Sequence, residues 1–231
     1  MNILFLIGNE GSGHHLFAET CSFKQDKVFH DLLLDYFSNK SSFHSNKTKE
    51  SEINNYLTSH PNLDHIERAS FPYNRPLDPL RRFDIKLFND LFSKNFNLKL
   101  FFIICLRDIV QSTLSSWERF DKHNGMTLLH AARVQEDNLL YINSQVKLLP
   151  EENVAIVEYE NICDSFNEFS NYIKTLSKMK NLSFDCSKVK KSSKIRANKE
   201  LEDYFDTPRR SQFNDLYNRC KFFKPSNAEC Y

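Results

Sequence analysis

Gly8-Asn-Glu-Gly-Ser-Gly-His-His15 gathers three of the chain's four glycines into six residues, directly after the apolar run Asn2–Ile7. Glycine serves where a turn needs a positive φ or where backbone must approach something closely. This stretch has the length of a phosphate-cradling loop. Its N–H groups would converge on an anion at the start of a helix near His14, where the helix dipole also favours negative charge. The usual phosphate loop ends in Gly-Lys followed by Ser or Thr. This one ends in His14-His15, with neither the lysine nor the hydroxyl that holds magnesium.

A second group of polar residues follows the apolar run Leu98–Leu106: Arg107-Asp108, then Ser115 eight residues beyond the arginine. Ligands of open α/β sheets bind beyond the carboxyl ends of the strands. An arginine fork at a strand tip and a serine on the next helix can together hold a phosphate. The same residues also allow a plainer reading, with Arg107 paired to Asp108 or a helix C-terminus and the serines on a solvated face.

The elements that would position these groups show in the hydrophobic pattern. β-rich apolar runs at Ile3–Ile7, Leu98–Leu106 and Val154–Tyr159, each followed by helical periodicity, predict parallel strands, with a weaker one at Asp64–Ala69. Helices are predicted over Asp26–Ser38, Asp84–Asn95, Ile109–Arg119, Thr127–Leu148, Phe166–Ser177 and Lys199–Arg219, and an exposed loop over Ser38–Ser51. Alternation of this kind marks an α/β fold, a central, mostly parallel sheet with helices on both faces. The absence of repeats or a separating linker points to a single domain over residues 1–231.

A net charge of +1 over 231 residues argues against general attraction to nucleic acid or membrane, so any anion site must be local. No apolar run approaches a membrane span, and Met1 leads into the first strand without a basic leader; the expectation is a soluble, cytoplasmic protein. Cys21, Cys105, Cys163, Cys186, Cys220 and Cys230 lack metal-site or paired spacing and read as mostly reduced thiols. The sequons at Asn39, Asn46 and Asn181 would matter only in a secretory compartment.

Together the motifs resemble the sulfotransferases that use 3'-phosphoadenosine 5'-phosphosulfate, members of the three-layer P-loop folds. That family has a glycine-rich 5'-phosphosulfate loop after the first strand, then a strand ending in Leu-Arg-Asp with a serine eight residues after the arginine. Leu106-Arg107-Asp108 with Ser115 fits, Leu114-Ser-Ser-Trp117 looks like its continuation, and Val154-Ala-Ile-Val-Glu-Tyr-Glu-Asn-Ile162 is similar to a later strand and turn. The likeness runs from Asn2 to about Leu176. It implies that Gly11, Ser12, Gly13, His14 and His15 surround the 5'-phosphosulfate while Arg107 and Ser115 bind the 3'-phosphate. It also implies a late basic segment over the 3'-phosphate; Lys194 and Arg196, in the run Lys188–Lys199, hold that position, although such runs more often form a solvated face.

Family members usually carry Lys or Arg where this chain has Gly11, so a histidine of the pair is a candidate for that electrostatic role. Sulfuryl transfer needs an aligned acceptor hydroxyl, a base, and donors for the departing oxygen, with no metal required. The family's base is commonly a histidine or glutamate near the end of the next central strand. In Asp64-His65-Ile-Glu67-Arg68, His65 is the first choice and Glu67 its orienter, sharing a face if the segment is extended; His14 and His15 are rivals. Phe71, beside Pro72 and Tyr73, is core or lines a pocket. The implied acceptor is a small alcohol or a saccharide. Two other functions compete: a P-loop kinase, with Asp108 anchoring magnesium, and a non-catalytic nucleotide-binding protein.

Overall fold

The computed structural model describes residues 1–9, 11–38, 47–71, 85–86, 88–90, 98–189 and 195–220. β1 (Asn2–Asn9) is followed by α1 (His14–Thr20), α2 (Lys27–Ser38) and α3 (Lys47–Ser59), then by β2 (Asp64–Phe71). After β3 (Lys99–Leu106) come α4 (Ile109–Ser116), α5 (Leu128–Val146) and β4 (Val154–Glu158). The chain continues through α6 (Tyr159–Asp164), α7 (Phe166–Ser177), α8 (Lys199–Tyr204), α9 (Thr207–Ser211) and α10 (Asn214–Asn218).

Among the described residues the four strands pair in parallel, in the order β2-β1-β3-β4, with Ile3 beside both His65 and Leu100. The strands read as continuous apolar runs because helices cover both faces. Ile3, Phe5, Ile7, Leu100, Phe102 and Ile104 pack in one core with Phe29 and Leu33 of α2, Leu57 of α3, Leu114 of α4 and Ile142 of α5. Leu4, Leu6, Phe101, Ile103 and Val157 join the opposite core with Phe17 of α1, Ile162 of α6 and Phe169 of α7. The predicted three-layer arrangement is therefore the observed one.

Most predicted elements match within a residue or two, and the departures have local causes. The predicted loop over Ser38–Ser51 runs into α3, whose helix begins at Lys47. Its buried apolar residues are only Ile53 and Leu57, a stripe too thin to stand out as periodicity. The predicted helix Lys199–Arg219 is broken into three short helices. Asp206 caps α9 by accepting from Arg209 N, and Pro208 sits in its first turn, where a proline starts a helix but cannot continue one. The helix at Ile109 gives way after Ser116 to a π-helical turn over Trp117–Asp121. Of the predicted helix Asp84–Asn95, residues 85–86 and 88–90 are helical, and the remainder lies outside the described residues. Pro72 and Tyr73 lie outside them too.

Glu136 fastens the C-terminal helices to α5. It accepts from Tyr204 Oη (2.8 Å) and pairs with Arg209 (3.1 Å), while the Arg209 guanidinium stacks over the Tyr204 ring. Cys21, Cys105 and Cys163 are buried free thiols, and burial pushes Cys21 up to about 12. No helix among the described residues is long and apolar enough to cross a membrane.

Phe102 is fully buried at the centre of the sheet, with its ring centroid 5.5 Å from that of Phe5. Phe102→Ala is expected to cost about 3–5 kcal/mol in urea unfolding, through lost transfer energy plus the cavity left behind. An unfolding midpoint equal to the wild type's would contradict this packing.

Candidate functional site where the first loop meets the third strand

The chain leaves β1 toward β2 and leaves β3 toward β4, so the connections from these two neighbouring strands run to opposite sides. The carboxyl ends of β1 and β3 thus flank the crevice at which open α/β sheets bind ligands. The β1–α1 loop enters that crevice with Gly11 at φ 80° and Gly13 at φ 86°, left-handed conformations that favour glycine. Space is equally short. A Cβ on Gly11 would stand 2.5 Å from Ser112 O and 3.2 Å from Ser115 Cβ, and one on Gly13 would overlap the Tyr159 ring.

Arg107 occupies the tip of β3. Its Nη1 donates to Gly11 O (3.1 Å), its Nε donates to Glu160 Oε1 (3.2 Å), and its guanidinium lies 4.9 Å from the Tyr159 ring centre. Burial raises the Glu160 carboxyl above its ordinary range, with Arg107 opposing the shift. The Arg107 carbonyl accepts from Tyr217 Oη (2.7 Å), so α10 braces the same strand tip. Asp108 then caps α4, Oδ1 accepting from Val110 N and Gln111 N, and Oδ2 faces Arg210 at 3.4 Å. One oxygen thus caps the helix and the other faces a guanidinium, a poor arrangement for the magnesium anchor of a kinase. Among the described residues, no cluster of His, Cys, Asp or Glu could hold a metal.

Gly11, Arg107 and Ser115 are therefore brought together. One turn before Ser115 on the same face, Gln111 grips the Arg196 backbone in both directions: its Nε2 donates to Arg196 O (2.7 Å), and its Oε1 accepts from Arg196 N (3.0 Å). The late segment does lie over α4, yet the Arg196 guanidinium turns away to Glu118 (2.6 Å). Lys194 lies outside the described residues. The sequence carried no signal for the grip, because an amide within a helix is ordinary until its partner is known.

The loop's own polar side chains divide. Ser12 is buried, its Oγ 3.0 Å from His14 Nδ1 and its N–H donating to Asn9 O, so its hydrogen bonds shape the loop from within. His14 is wholly buried; burial first, then its neighbours His15 and Arg68, lower it to about 3. It is neutral at physiological pH and cannot stand in for the missing loop cation. His15 is exposed, its ring 4.4 Å from that of His14, and its Nδ1 accepts from Arg68 Nη1 at 3.3 Å.

His65 and Glu67 do share a face, as their spacing predicts, but it is the face covered by α2 rather than the one that carries α1. His65 is opposite Ile3, six residues before the end of β1, which is about 20 Å at the rise of a strand. Its side chain is fully buried: Nδ1 accepts from Asp26 N (2.9 Å), Nε2 donates to Glu67 Oε2 (3.2 Å), and Phe29 packs edge-on at 4.9 Å. This is a core histidine, remote from the loop. Period two decides the outcome, since the alternation that buries 65 and 67 under α2 turns Arg68 toward α1.

Glu67 anchors a buried network, accepting from Gln25 Nε2 (3.0 Å), Arg68 N (3.0 Å), His30 and His65. Burial alone would raise its carboxyl, but hydrogen bonds from the two histidines, and the charge of His30, outweigh that and hold it at about 2. His30 is raised above its ordinary 6.5, chiefly by the hydrogen bond to Glu67. The depressed carboxylate stabilises the fold above its ordinary 4.5 and loses that contribution as pH falls toward 2. The raised histidine stabilises below 6.5 and loses that contribution as pH rises through its folded value. Glu67→Gln should therefore destabilise most between pH 4.5 and 6.5, by roughly 1–3 kcal/mol, and less at either extreme. Urea titrations across pH would show this; a difference independent of pH would contradict the charge coupling.

No family model matches the chain, and no curated protein matches it. Among solved structures it is similar to a sulfotransferase from Alicyclobacillus acidocaldarius, with a TM-score of 0.56 and 11% identity over 94% of this chain and 95% of that one. It is also aligned with the sulfotransferase domain of the Synechococcus PCC 7002 olefin synthase, at a TM-score of 0.48 and 13% identity over 99% and 90% of the two chains. At such identities the first likeness is one of fold: this chain has the α/β architecture of a sulfotransferase, a parallel four-stranded sheet between helical layers.

Proposed function

We propose that this protein is a sulfotransferase that moves a sulfuryl group from 3'-phosphoadenosine 5'-phosphosulfate to the hydroxyl of a small alcohol or saccharide. The observation that carries the reading is the meeting of Arg107 with the glycine loop: the 3.1 Å bond to Gly11 O, with Ser115 against the same glycine. Two motifs that the resemblance assigns to opposite ends of one nucleotide thus border a single crevice. The shared fold supports the same reading.

The donor supplies the activated sulfuryl group. Gly11 and Gly13 let the loop close against α4 and the Tyr159 ring, and the donor's 5' end would lie along that loop, with His15 at its edge. Arg107 and Ser115 receive the 3'-phosphate, and Glu160, paired with Arg107, is an internal anion that a phosphate would displace or join. A second reading, a nucleotide-binding protein without transfer activity, is favoured by one observation. His65 and Glu67 lie away from the loop, and His14 is neutral and buried, so only His15 of the candidate bases remains exposed there.

Calorimetry should find tighter binding of adenosine 3',5'-bisphosphate than of ADP. Arg107→Ala should remove most of that preference, as a charge-assisted hydrogen bond is worth roughly 1.5–3 kcal/mol. Equal wild-type affinities for the two nucleotides would reject the clamp. Transfer of labelled sulfate from the donor should survive a chelator; activity lost on chelation and restored by magnesium would favour a kinase-like enzyme instead.

A further inference from the structure

Around the loop, positive charge is scarce among the described residues. Among residues 8–15 there is no lysine or arginine. Arg107 is already joined to Glu160, and the low basicity of His14 keeps that ring uncharged. Among the described residues Arg68, like Arg119, Arg133 and Arg219, forms no ion pair; it stands apart from those three by its contact with the loop, donating to His15 Nδ1 at 3.3 Å, whereas Arg107 beside the same loop faces a carboxylate. A neutral imidazole satisfies one N–H of the guanidinium and cancels none of its charge. That charge is felt within the loop, since Arg68 contributes to the lowered basicity of His14.

The same hydrogen bond has a consequence for His15. A ring nitrogen that accepts from a guanidinium must offer its lone pair, so the proton of the neutral ring sits on Nε2. Arg68 thereby fixes His15 as an Nε2–H donor. The exposed side chains of both residues stand on the α1 side of the sheet, where the loop leaves β1.

We propose that Arg68, reaching across from β2, is the cation of this anion-binding loop, and that it works together with the Nε2–H of His15 to hold the 5'-phosphosulfate end of the donor. The role a loop residue would ordinarily fill is supplied by the neighbouring strand. Arg68 binds the anion directly with its remaining N–H groups and positions His15 by fixing its tautomer. The inference rests on the functional reading above and adds to it a residue outside the glycine motif.

The test compares the wild type with Arg68→Ala and Arg68→Lys by calorimetry with 3'-phosphoadenosine 5'-phosphosulfate, and by nitrogen-15 NMR of the histidine side chains. Arg68→Ala should bind the donor about 10–100-fold more weakly, the range of one charge-assisted hydrogen bond. Arg68→Lys should fall between, keeping the charge without the planar fork. The His15 signals should change from a fixed Nε2–H form to a tautomer mixture in Arg68→Ala. Because Arg68 is exposed, its thermal midpoint should be unchanged, separating contact loss from unfolding. Donor binding equal in wild type and Arg68→Ala overturns this proposal and leaves the functional reading standing. Failure of the wild type to bind the donor overturns the functional reading itself. A His15 spectrum unaffected by Arg68→Ala overturns the coupling to His15.

Discussion

The hydrogen bond from Arg107 to the carbonyl of Gly11 joins segments 96 residues apart, and its length of 3.1 Å depends on how closely the first loop can approach α4. Only hydrogen fits on the Gly11 Cα, because Ser112 O and Ser115 already occupy the space a Cβ would need. Gly13 meets the same limit against Tyr159, from the turn that follows β4. The β1 loop is thus closed in by the segments following both β3 and β4. The crevice has a defined shape because three chain reversals converge on it, and glycine is what lets them converge.

Around that contact the charges are arranged by burial. Asp108 is spent on capping α4 and facing Arg210, while Glu160 is held as the internal counter-ion of Arg107. His14 is kept neutral by its surroundings and joined to Ser12. An anion site can be built from such groups because desolvation suppresses the weak bases and leaves guanidinium, which does not deprotonate, as the durable positive charge. Arg68 and Arg107 approach the loop from the strands on either side of β1.

The sheet decides which polar residues reach the crevice. Successive side chains of β2 alternate between two helical layers, so His65 and Glu67 enter one core region and Arg68 the other. Glu67 and its two histidines form a buried network whose partners, Gln25 and His30, come from the segment leading into α2 and from α2 itself. A pair that resembles acid–base machinery in one dimension is, in three, a polar brace inside the fold.

The sequence by itself determined what depends on near neighbours. The strands at Ile3–Ile7, Leu98–Leu106 and Val154–Tyr159 were legible because burial on both faces demands unbroken apolar runs, and the requirement for glycine at Gly11 and Gly13 because glycine was so concentrated there. The spacing from Arg107 to Ser115 was readable for the same reason, since strand rise and helical turn are local geometry. α3 buries too little apolar surface to show in the pattern, whereas Pro208 is a local signal of the break that starts α9. Tertiary structure alone decided that Arg68 faces α1 while His65 faces α2, that Gln111 grips Arg196, and that Arg107 meets both Glu160 and Gly11. Periodicity says which residues share a face; which layer covers that face depends on how distant crossovers pack, and no local spacing contains that information.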